Sequence, residues 1–218
     1  MSSQKNYKNL RKKGCILHDL GRNEDRLRGT YEFPFEFHHI DSSHPRYVMS
    51  YHWHVECEIM RVLQGTLTVT LDEKSFTAKA GDVIFVNSGV LHSGIPQDCI
   101  YQCIVFDMNM FLKFNSICTE YMQKISHQEL LIYHHFTEKQ PDIQRAVNSL
   151  FDSFWQRKPG YELVVFGQFY HFFGIVFSNH YYLESITRAR RDYKRILQLK
   201  QVLDFIAVSY THLRAHET

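Results

Sequence analysis

The chain has 218 residues and a net charge of +2, with 44% hydrophobic and 22% charged residues. That is ordinary globular usage and excludes a wholly disordered polymer. The most apolar window, 163–177, is too short to span a bilayer and is interrupted by Gln168 and His171, and the basic start has no apolar run behind it to serve as a secretory signal.

In chain order, residues 1–30 read as a basic arm, with eight Lys/Arg against three Asp/Glu. From 31 to 107 the pattern is strand-like, in short alternating or β-branched runs at 58–71, 75–87 and 99–107. Turn residues punctuate them at Asp72-Glu73-Lys74 and Ala80-Gly81-Asp82. Repeated short strands of this kind predict a sandwich or barrel. From 108 to 186 the period becomes helical. The stretch 142–156 puts Ile143, Val147, Leu150, Phe151 and Phe154 on one face behind Pro141. After Pro159-Gly160, a second helix is expected over 161–182, apolar on more than one face through Leu163, Phe166, Phe169, Phe173, Val176 and Phe177. A helix of that breadth needs cover on two sides. Residues 187–206 form a basic linker, six Lys/Arg over 187–200 against Asp192, leading into a third helix through Ile196, Leu199, Val202, Leu203 and Ile206. Between the basic ends, residues 31–186 are acidic, ten Lys/Arg against seventeen Asp/Glu.

The chemistry concentrates at His52, His54 and Glu58. On an extended strand these three share a parity, so two imidazoles and a carboxylate converge on one face. A polar cluster inside a barrel must be satisfied, and a divalent metal does so. A second run, from Gly81 through Asn87 and Gly89, ends in a third histidine, His92. A His₃Glu set suits Fe, Mn, Ni, Co or Zn, and the alternative is a pocket whose histidines hydrogen-bond an organic ligand with no metal. Met60 and Phe106 are expected as walls of that pocket. Trp53 and Cys57 take the opposite parity and should face outward, which makes Cys57 a poor nucleophile. The pairs His38-His39 and His134-His135 read as surface histidines. Five cysteines, Cys15, Cys57, Cys99, Cys103 and Cys118, with no CxxC pair point to reduced thiols and a cytoplasmic location. There is no Ser/His/Asp arrangement, P-loop or dinucleotide fingerprint.

These residues resemble the two cupin motifs. His52, His54, Glu58 and Gly65 fit the first; Gly81, Gly89 and His92 fit the second. Arg46 or its neighbour stands for the opening glycine, Asn87 for the usual proline, and Pro96 for the final asparagine. The expected fold is therefore mainly β with α: a cupin (double-stranded β-helix, jelly-roll) barrel followed by a helical dimerisation segment. The order of basic arm, barrel, amphipathic helices and basic linker is similar to the effector-binding half of an AraC-type transcriptional regulator. That resemblance implies a bacterial regulator that takes a small effector, such as a sugar, in the barrel. It implies a homodimer through the helix at 161–182, and DNA contact only through a C-terminal helix-turn-helix domain that is truncated here, with only its start within 187–206. The rival is a metal-dependent cupin enzyme, a dioxygenase or isomerase; on the regulator reading the chain is not an enzyme. Finally, VSYTHLRAHET at the end resembles a translated transposase adapter from sequencing libraries, so 207–218 is set aside from the fold, with His212 and His216 in it.

Overall fold

The computed structural model describes residues 22–23, 28–113 and 117–184. The rest of the basic arm, the linker and third helix expected over 187–206 and the adapter-like tail lie outside the described residues.

Two long strands build the barrel. β4 (Cys57–Leu71) and β7 (His92–Phe106) pair antiparallel from Cys57↔Phe106 to Leu71↔His92. Each exchanges its other neighbour halfway. β4 pairs first with β6 (Val83–Val86) and then with β5 (Lys74–Lys79). β7 pairs along its start with β3 (Met49–Trp53) and along its end with β2 (Phe35–Ile40). A short parallel strand, β1 (Arg22–Asn23), flanks β3, and β9 (His135–Phe136) flanks β6. The change of neighbours occurs at a bulge around Gln64, where Gly65 has φ +67°. A Cβ at Gly65 would overlap the backbone carbonyls of Gln97 and Asp98, so the close approach of the bent strands requires glycine there.

Alternation along the strands separates two cores. Met60, Val62, Leu67, Val69, Ile84, Val86 and Tyr101 meet inside the barrel, drawn from both halves of the bent sheet. Their neighbours Ile59, Phe85, Ile104 and Phe106 point the other way and pack under the helices. The architecture is the expected cupin barrel with helices laid on one outer face.

Beyond β7, a 3₁₀ turn (Met108–Leu112) is capped by Asp107, which accepts the Asn109 amide at 2.9 Å. Helix α1 (Thr119–Ser126) and strand β8 (Leu130–Ile132) follow; the helix falls within the helical reading of 108–186, and the strand departs from it. Helix α2 (Pro141–Gln156) buries the predicted stripe of Ile143, Val147, Leu150, Phe151 and Phe154, with Pro141 at its entrance. Helix α3 (Tyr161–Ser178) is shorter than the expected 161–182. It stops before His180, which takes φ +56°, and Tyr182–Glu184 form β10, paired with β8. An exposed backbone edge on β8 captures the chain where local periodicity alone would have continued the helix.

Phenylalanine dominates the layer between sheet and helices. Phe35 stacks on Phe169 at 5.1 Å, Phe37 on Phe154 at 5.8 Å and Phe85 on Phe172 at 5.8 Å. One face of α3 is buried through Val165, Phe169, Phe172, Phe173 and Val176. The other face is open, with Leu163 at 79% and Val164 at 46% exposure, so among the described residues the helix is covered on one side only.

Candidate functional site

The four predicted ligands do come together, by a different route from the one a single strand would give. His52 lies on β3 and pairs directly with His92 at the start of β7. His54 sits past the end of β3 in the turn to β4, and Glu58 is the second residue of β4. The turn is held by the second motif: the Gly89 amide donates to the His54 carbonyl at 2.9 Å, and Ser88 Oγ to the Val55 carbonyl at 2.6 Å. Gly89 has φ +72°, which lets its amide turn back toward that carbonyl. Asn87, in the place of the usual proline, uses its amide side chain to bond both the carbonyl and the N–H of Ile132 on β8. On the other side of His92, Asp72 Oδ1 accepts the Leu91 amide at 3.2 Å, tying the β4–β5 hairpin to the ligand loop.

Each histidine donates its Nδ1 hydrogen to a backbone carbonyl: His52 to Ser50 at 2.9 Å, His54 to Glu56 at 3.0 Å and His92 to Val90 at 2.8 Å. A carbonyl can only accept, so these bonds fix the tautomer and leave a lone pair on each neutral ring's Nε2. His54 Nε2 and His92 Nε2 then face Glu58 Oε2 at 3.3 and 3.2 Å. Two acceptors at that distance repel unless a proton or a cation lies between them. One ligand atom from each of His52, His54, Glu58 and His92 lies within 4.8 Å of all the others. The donor set, its orientation and its pinned tautomers therefore fit a divalent cation, with the backbone carbonyls orienting the rings.

Burial matches this chemistry. His54, Glu58 and His92 are buried and His52 is partly exposed, so His52 marks the open side. Burial, reinforced by the neighbouring His92, lowers the pKa of His52 to about 4. For Glu58, burial opposes ionisation, but a proton held between its carboxylate and the Nε2 atoms of His54 and His92 outweighs it and holds its carboxyl well below the usual range.

Two other expectations meet different outcomes. Met60 lies in the interior core, two residues from Glu58 on the same face. Phe106 does not line the interior: it packs on the helix side, 4.6 Å from Phe169, because it has the parity of Ile104. The residue of the right parity is Cys103, paired with Met60, buried, and hydrogen-bonded through its thiol to Glu58. Burial first, then the Glu58 charge and hydrogen bond, push that thiol well above the ordinary range. Alternation through 99–107 carries the signal that would have found it.

Cys57 faces outward among the phenylalanines, its thiol pushed by burial to about 12, which keeps it protonated and unreactive. Trp53 is fully buried. The histidine pairs are more engaged than surface residues: His135 stacks on Phe76 at 4.6 Å and reaches the buried Asp82 at 2.9 Å, and His39 Nδ1 accepts from Gln102 at 2.9 Å.

The model of the AraC-like ligand binding domain matches residues 34–172. The uncharacterized HTH-type transcriptional regulator YdeC of Bacillus subtilis (strain 168) is 34% identical over 56 residues, 24% of this chain and 19% of that protein. The chain thus spans about a fifth of the length of that curated relative. Among solved structures, oxalate decarboxylase from Bacillus subtilis at pH 4.6 aligns over 28% of this chain and 18% of its own, at 25% identity and TM-score 0.26. KdgF from Halomonas sp. aligns over 27% and 57%, at 21% identity and TM-score 0.26.

Proposed function

Because the chain belongs to the family of AraC-like ligand binding domains, whose model covers residues 34–172, we propose that it is the effector-sensing, dimerising part of a bacterial transcriptional regulator. In this reading the signal is received at His52, His54, Glu58 and His92, and DNA is contacted by a helix-turn-helix domain joined beyond the basic linker. The domain senses rather than catalyses, and works in the cytoplasm; no described helix is long and apolar enough to cross a membrane.

The observation that carries the reading is the convergence of three Nε2 lone pairs and one carboxylate at the barrel mouth. His52, His54, Glu58 and His92 would hold one divalent transition metal from among Fe, Mn, Ni, Co and Zn. When bound, it offers open positions to oxygen donors, as from a sugar or a small acid. Met60 and Cys103 close the barrel behind the cluster. Dimerisation is assigned to the helix at 161–182, whose open face presents Leu163, Val164, Gly167, His171 and Gly174; a Cβ at Gly167 or Gly174 would meet nothing within 4 Å. That face allows a second backbone to approach closely.

A second reading, a metal-dependent cupin dioxygenase or isomerase, is favoured by the complete ligand quartet alone.

Equilibrium dialysis of chelator-treated protein against Co(II) and Zn(II) tests the site. One ion per chain is expected, and the double variant His52→Ala, His54→Ala should lose it while keeping the wild-type far-UV circular dichroism. Equal uptake by that variant overturns the assignment. Turnover of an organic substrate by the loaded protein would transfer the conclusion to the enzyme reading.

A further inference from the structure

The inner barrel is already full. Met60, Leu67, Val69, Ala78, Ile84 and Tyr101, drawn from both halves of the sheet, are each 0% exposed. A surface that no water-sized probe reaches borders no water-sized void, so an organic ligand of sugar size has no room beside these side chains without repacking a close-packed core. The polar groups of the cluster instead lie at the mouth, open at His52, where their donors suit a bare ion.

The same strands carry a second, outward-facing set of contacts. Next to Met60 on β4 stands Arg61, paired across the ladder with Gln102, itself next to Cys103 on β7. Arg61 Nε donates to Gln102 Oε1 at 2.8 Å, Nη1 to Asn148 Oδ1 at 3.0 Å and Nη2 to Asp152 Oδ1 at 2.8 Å, with the guanidinium 5.0 Å over the Phe151 ring. Asn148, Phe151 and Asp152 all belong to α2. The side chain is almost wholly buried and links the two strands that hold Glu58 and Cys103 to the helix that packs on α3.

We propose that a divalent transition-metal ion is itself the signal for this domain, and that Arg61 with Gln102 passes its arrival from β4 and β7 to α2. This rests on the metal site assigned above and goes further, by making the ion the effector rather than an aid to an organic one. An ion held by Glu58 and the histidines would set how β4 lies against β7, and α2 would follow because Arg61 fastens Gln102 and β4 to Asn148 and Asp152. The ion changes the helices only by as much as it prefers one arrangement over the other.

Amide hydrogen exchange of the 218-residue chain, with Zn(II) or Co(II) and with EDTA, decides the matter alongside calorimetric titration of the same ions. The ion alone is expected to slow exchange across 141–156 by about 5-fold or more, the low end of ordinary coupling between sites. Asp152→Asn, at an exposed partner that the barrel does not need, and Arg61→Met should keep ion binding but lose the helix protection. Glu58→Gln should lose both. Ion binding with unchanged helix exchange overturns the proposal and leaves the metal site standing. Absence of ion binding overturns both. Helix protection by glucose in EDTA would show that an organic effector acts without the ion, and also overturns it. So does helix protection that survives in both Asp152→Asn and Arg61→Met.

Discussion

A histidine whose Nδ1 hydrogen is committed to a backbone carbonyl keeps one lone pair, and in His54 and His92 that pair faces the Glu58 carboxylate. The pH response follows from the same burial. Folded His52, at about 4, refuses a proton that the unfolded chain takes up near its ordinary value of 6.5. Stability that is present above about pH 6.5 is therefore lost as the pH falls towards 4. Glu58 acts in the same direction lower down: its depressed carboxyl stabilises the fold above its ordinary value of 4.5, and that contribution is lost as the pH falls further. The urea midpoint of the chelator-treated chain should drop across pH 6.5 to 4, and His52→Gln should flatten the upper part of that slope. A wild-type profile level across this window would contradict it. At this scale the ligands were legible because their chemistry is rare in one short run. Phe106 was misplaced and Cys103 missed for one reason: the face of a strand residue is set by register, and a single residue's shift exchanges the two faces.

At the scale of elements, α2 is the most readable part of the chain. Its stripe from Ile143 to Phe154 is regular, and every residue predicted on it is buried. Leu150, fully buried against the barrel's outer face, should cost about 2–5 kcal/mol on replacement by Ala, read from chemical denaturation. Metal uptake at the mouth should survive, since Leu150 belongs to the other core; loss of uptake would mean the two cores are not separable. The short strands β8, β9 and β10 were not legible. Two or three residues carry too little period to announce a strand, and their pairing is set by partners far away in sequence: Ile132 by Asn87, and Tyr182 by Ile132. The end of α3 is marked only by Ser178-Asn179-His180, three polar residues that a helical reading carried on to Tyr181 and Tyr182 passes over.

At the scale of the described residues, the cluster opens at His52 while the helices pack on the outer face that carries Ile59, Phe85, Ile104 and Phe106, so the proposed ligand and dimer surfaces would not compete. Among the described residues nothing covers the open side of α3, where Leu163 and Val164 are exposed. Gly167→Glu with Leu163→Arg should convert a dimer to a monomer in sedimentation velocity without lowering the melting temperature, because Gly167 has space around it and leaving glycine favours the helix. Identical sedimentation of variant and wild type would remove the dimer from this face. The broad apolarity of 161–182 pointed to cover on two sides, and the described residues supply one of them.

The phenylalanine layer has a thermal consequence. Barrel and helices are joined by stacked and tilted rings, with Arg61 the buried ionic tie on that face. Attraction of that kind comes with a large heat-capacity change and fades on cooling, whereas the β4–β7 ladder rests on backbone hydrogen bonds that do not fade in the same way. Chilled protein should therefore loosen first at the seam between sheet and helices, while the strands that carry His92 and Glu58 stay paired.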